Sequence, residues 1–82
     1  MTSAEKCRKN KWSVGTLLEG DEGHGPSVIL ITAIGEKRIL ARQVSHNGKI
    51  SDDEEGQWTL EFRDWKQAYS YGVNPKQTRG MK

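Results

Sequence analysis

The sequence predicts an all-β fold, a single small barrel of five short strands with one helical turn before the last strand. Three observations carry this. Apolar residues recur at every second position, as in Trp58, Leu60 and Phe62 between Gln57, Thr59 and Glu61. Glycine or proline interrupts the chain at 15, 20, 23, 25, 26, 35, 48, 56, 72 and 75, which leaves little room for helices. A chain of 82 residues buries only about 60% of its unfolded surface and supports one core, which is all a barrel needs. Ile, Val, Leu and Phe make up less than a fifth of the chain, a composition that approaches disorder. More than half of them lie between Val28 and Val44, however, and the net charge is only +2, so a compact centre is expected.

Residues 1–10 carry Lys6, Arg8 and Lys9 with few apolar neighbours and read as a flexible basic tail, as do residues 74–82; the barrel is expected over 11–73. A first strand places Trp12, Val14, Thr16 and Leu18 on one side, with Leu17 breaking the alternation. Glu19 to Ser27 holds three glycines, a proline and three acids and reads as a long loop. The β-branched run Val28–Ile34 and the run Arg38–Val44 form an antiparallel hairpin through Gly35-Glu36-Lys37, with Gly35 expected at positive φ. Ile29 and Ile31 share a face but Ile34 is out of phase, which predicts a bulge near Ala33. Asn47-Gly48 marks a tight turn, and Asp52-Asp53-Glu54-Glu55 a solvated acidic loop. Gln57 to Phe62 is the clearest half-buried strand. Residues 63–68 suit a helical turn capped by Asp64, and Tyr69 to Val73 a last short strand.

Composition sets the limits on function. A +2 charge is too small to imply nucleic-acid binding by itself. The single cysteine, Cys7, excludes an internal disulfide framework and points to a reducing cytoplasm; no run is long and apolar enough for a membrane span. His24, His46 and Cys7 match no metal-ligand spacing, and the acidic run lacks the alternation and mid-loop glycine of a calcium loop, so neither metal nor cofactor is expected. Cys7 has basic neighbours that would lower a thiol pKa but no histidine nearby in sequence, and its ordinary reading is an exposed inert thiol. Gly20-Asp21-Glu22-Gly23-His24-Gly25 is no phosphate cradle, because its acids repel phosphate. Such a small core leaves little space for a walled pocket, so neither an enzyme nor a small-molecule substrate is expected.

Two binding roles remain, both for a monomer. For nucleic acid, Lys9 and Lys11 from the N-terminal arm, Lys37, Arg38 and Arg42 along the hairpin, and Tyr69 and Tyr71 for stacking supply cations and rings; Lys76, Arg79 and Lys82 add a second arm. The bland reading of these charges is a solvated pair of ends. For a protein partner, Trp12 and Trp65 are the candidate anchors, Trp65 being expected partly exposed beside Asp64 and Lys66, while Trp58 is expected in the core. The alternative for Trp65 is a plug for the open barrel end.

Lys11-Trp12-Ser13-Val14-Gly15, the hairpin Ile31 to Ala41, and Trp58-Thr59-Leu60 before Asp64-Trp65 together resemble the SH3-like barrels of Tudor and KOW type over about residues 11–73. The stretches Ile31–Arg42 and Glu55–Trp65 also look like small uncharacterised phage and prophage proteins. Methyl-reading Tudor domains use aromatic cages in loops that here, at 19–27 and 46–56, hold no aromatic residue, so the resemblance brings no cage with it. KOW-type modules, which bind RNA or protein, fit the basic hairpin better, by fold analogy alone.

Overall fold

A computed structural model describes residues 1–21 and 23–71. The chain forms one short helix, α1 (Ser3–Lys9), and six strands: β1 (Leu17–Asp21), β2 (Pro26–Ile34), β3 (Ile39–His46), β4 (Lys49–Ile50), β5 (Gly56–Trp58) and β6 (Lys66–Ala68). All pair antiparallel in one sheet of order β4-β3-β2-β1-β6. The far edge of β3 is shared, because Ser45 and His46 pair with β4 while Ile39, Leu40 and Ala41 pair with β5.

The β2–β3 hairpin is the spine of the sheet and carries two register shifts. Ile31 faces Ala41 while Ala33 faces Leu40, which leaves Thr32 as an extra residue on β2, the bulge that the phase break at Ile34 predicts. At the other end Val28 faces Ser45 and Ile29 faces Gln43, so Val44 is the extra residue on β3. Extra residues on opposite strands sharpen the twist, and the sheet wraps one core of Leu18, Ile29, Ile31, Ile39, Ala41, Leu60, Trp12 and Trp65, with Ala4 and Cys7 from α1. Leu17, the residue that breaks the alternation, is half-buried on the opposite face of β1, paired with Leu30 and Ala68.

Several expectations are corrected. The flexible tail over residues 1–10 is instead largely helix. Thr2 closes a capping box with Glu5, their side chains each accepting the other's backbone N–H, and Ala4 and Cys7 are fully buried. Two small apolar residues three apart gave too weak a periodicity to stand out; Thr2-Ser3-Ala4-Glu5 was the available signal. β1 starts at Leu17, five residues later than Trp12, and includes Glu19, Gly20 and Asp21, which read as loop; Val14 is exposed. Gly35 does not take positive φ; its N–H closes the turn onto the Arg38 carbonyl at 2.8 Å. β5 stops at Trp58: Leu60 is still buried, but Phe62 turns out to solvent at 81% exposure. Residues 63–68 form no helical turn. Lys66–Ala68 is itself the last described strand, drawn onto the edge of β1, whose backbone groups would otherwise lack partners. Tyr69 to Tyr71 is not strand, and Val73 and the expected tail at 74–82 lie outside the described residues.

The Asn47-Gly48 turn is as expected, with φ of 52° and 80° joining β3 to β4 in the primed geometry of tight hairpins.

Candidate functional site

Helix α1 lies between the β2–β3 turn and the β5–β6 connection, and its basic residues serve as fasteners. Lys6 Nζ donates to the carbonyls of Leu60 (3.1 Å) and Arg63 (3.3 Å), and the Arg8 guanidinium to those of Gly35 (3.1 Å) and Glu36 (2.8 Å). Ala4 N–H donates to the Lys37 carbonyl at 3.1 Å, and Leu60 N–H to Ser3 Oγ at 2.9 Å. Two of the basic residues of the N-terminal arm are thus committed to internal carbonyls. Lys9 and Lys11 remain exposed at the C-terminal end of α1, and Lys37 and Arg38 are exposed in the adjacent turn.

Between α1, this turn and β5 lies a polar groove of about 310 Å³. Thr2, Ser3, Lys37, Arg38, Gln57, Trp58, Thr59 and Glu61 line it. Thr2 and Ser3 spend their hydroxyls inside the fold, whereas no hydrogen bond or ion pair engages the side chains of Lys37, Arg38, Gln57 and Thr59 among the described residues. Trp58 is half-buried, its ring edge-on to Trp65 with centroids 6.0 Å apart and planes at 85°. Arg38 and Gln57 also border a second, more apolar groove of about 290 Å³ that includes Ala33, Ile34 and Leu40.

The structure splits the residues that the sequence offered for nucleic acid. Lys37 and Arg38 line one groove beside the N-terminal residues of α1, while Lys9 ends that helix and Lys11 follows it, both exposed and outside the groove lining. Tyr69 (88% exposed) and Tyr71 (41%) are at the other end of β3, where Ser45 Oγ donates to the Tyr71 carbonyl. Seven residue steps of largely extended chain separate Arg38 from Ser45, at most roughly 23 Å. Arg42 is between them, half-buried opposite Leu30, and the acidic loop is pinned down by Gln43 Nε2 to Asp53 Oδ2 (2.9 Å) and Thr32 Oγ1 to Glu55. The aromatic residue that shares a groove with Lys37 and Arg38 is Trp58, which packs against the core as expected but remains partly exposed.

Neither candidate protein anchor offers a surface. Trp12 is 8% exposed and Trp65 5%, both in the core: Trp12 is tied back to α1 by its N–H to the Cys7 carbonyl (2.8 Å), and Trp65 covers Gly20. The Trp65 indole N–H is buried without a partner among the described residues.

The remaining chemistry-bearing residues serve the fold. Cys7 is buried, not exposed, and its burial raises the thiol pKa against the lowering influence of Arg8 and Lys6, the reverse of the activated thiol that its neighbours suggest. His46 Nδ1 is 2.8 Å from Ser27 Oγ, but Ser27 is buried and Asn47 Nδ2 lies 3.3 Å from the other ring nitrogen, so the pair ties β2 to β3 and presents no nucleophile. Asp21 Oδ1 accepts the N–H groups of Gly23 (2.7 Å) and Gly25 (3.2 Å) and shapes the β1–β2 loop; these bonds, the Gly23 one foremost, lower its pKa. Among the described residues no group of three or more His, Cys, Asp and Glu could hold a metal ion, and no helix is long and apolar enough to cross a membrane.

Among known families, the one described as "Domain of unknown function (DUF7241)" matches residues 1–70. No curated protein and no solved structure matches the chain.

Proposed function

The chain belongs to the DUF7241 family, and on the architecture of this member we propose that it is a non-catalytic module that binds nucleic acid at the α1 and β2–β3 end. The observation that carries the reading is the convergence of Lys37 and Arg38, with uncommitted side chains, on one groove with a half-buried indole. Lys9 and Lys11 extend the cationic surface along α1. Phosphate contacts of this kind supply most non-specific affinity, and rings supply sequence-tolerant stacking. The alternative of a protein partner loses support, because its anchors Trp12 and Trp65 are buried.

We also read the sheet as an SH3-like barrel. Supporting this are the strand order, with the last strand returning to β1, the two bulges of the central hairpin and the single core.

Fluorescence anisotropy with labelled DNA and RNA oligonucleotides across a salt series tests the functional reading. Four phosphate contacts predict a log–log salt slope of about −3 on single strands, reduced by about 1 to 1.5 in the Lys37→Ala/Arg38→Ala variant. Absence of binding to any oligonucleotide at low salt overturns it.

A further inference from the structure

Building on the nucleic-acid reading, we infer that the groove beside β5 takes single-stranded nucleic acid, with a base stacked on Trp58 and the flanking phosphates held by Lys37 and Arg38. A paired base is already stacked between its neighbours and has no face to offer a half-buried ring, so a site built on an indole selects unpaired bases. Trp58 is suited to this role by its surroundings. β5 pairs with β3 on one edge only, and the edge-to-face packing on Trp65 holds the Trp58 ring while part of it lines the groove.

Charge placement argues the same way. A duplex needs cations spread over a broad face, but acids border this one. Glu36 is in the turn itself, Glu61 in the groove lining, and the Asp52–Glu55 loop is fastened to β2 and β3 through Thr32 and Gln43. Two adjacent cations lining one groove with a single indole match a single strand better than two phosphate backbones. Glu61 is the unfavourable member of the lining, and its charge opposes any bound phosphate.

The test uses the full chain with single-stranded and duplex oligonucleotides of equal length, read by anisotropy and by intrinsic tryptophan emission. Trp12 and Trp65 also emit, and Trp65 touches Trp58, so the Trp58→Phe variant separates the Trp58 contribution to any emission change. Single strands are expected to bind at least tenfold more tightly than duplex and to quench the emission. Trp58→Ala is expected to weaken binding about tenfold or more with an unchanged salt slope, and Glu61→Gln to strengthen it severalfold. Should Trp58→Ala fail to fold, Trp58→Phe keeps the test alive, retaining most of the affinity but losing the quench. Equal affinity for duplex, a quench that survives in Trp58→Phe, or a folded Trp58→Ala with unchanged affinity overturns the stacking site. If in those cases Lys37→Ala/Arg38→Ala still weakens binding, the broader nucleic-acid reading stands without it, whereas no binding to any oligonucleotide ends both.

Discussion

Gly20 lies directly against the indole of Trp65: a Cβ on Gly20 would sit 2.5 Å from Cδ2 and 2.6 Å from Cε3 of the ring. The contact joins the penultimate residue of β1 to the residue before β6, so the glycine that reads as loop punctuation is what allows a core tryptophan to lie on the sheet. Gly20→Ala is expected to destabilise the fold by about 1–3 kcal/mol through overpacking. Urea denaturation should show a lower midpoint at an unchanged m-value; an unchanged midpoint would mean that Trp65 can move aside freely.

Ser3 joins α1 to the β5–β6 connection through a buried bond to Leu60 N–H. Ser3→Ala leaves that donor unsatisfied at a cost of about 1–3 kcal/mol, while Ser3→Thr retains the acceptor. Thr2→Ala, which breaks the capping box, is expected to cost about 1 kcal/mol. If residues 1–10 were a solvated tail, none of these substitutions would move the unfolding midpoint.

Cys7 is expected to resist thiol reagents in the native chain, reacting at least about a hundredfold more slowly than in urea, because reaction requires the core to open. Its raised pKa has a definite consequence. The folded state prefers the neutral thiol, so this contribution to stability is complete below the ordinary value of 9.0 and is lost as the pH rises through the higher folded value. Denaturation midpoints measured from pH 8 upward should fall more steeply for the native sequence than for Cys7→Ala.

Asp21 behaves in the opposite sense. Its pKa is lowered chiefly by the Gly23 N–H, so the loop's support is present above the ordinary 3.8 and is lost as the pH falls through the lower folded value. Carbon-detected NMR titration should place the Asp21 midpoint below 3.8, and Asp21→Asn should speed amide exchange at Gly23 and Gly25.

Local patterning made the central hairpin, its bulge and the Asn47-Gly48 turn legible, since each depends on residues only a few positions apart. Helix α1 was not, because its stability comes from distant carbonyls at Lys37, Gly35 and Leu60 more than from its own periodicity. For the candidate site, Lys9, Lys11, Lys37 and Arg38 could be named as cations from composition. That Trp58 joins them, while Tyr69 and Tyr71 stand at the other end of β3, depends on how β5 pairs.

Residue order alone was enough for a β-rich chain with one core, because period-two alternation and turn-forming dipeptides act over short distances. Which charges stay free was settled by packing. Lys6 and Arg8 are as basic as Lys37 and Arg38, but the helix turns the first pair toward unsatisfied backbone carbonyls and leaves the second pair facing water. Burial of the tryptophans followed the same logic, since the ring that fits against Gly20 is chosen by close packing across the sheet, an interaction no local pattern encodes.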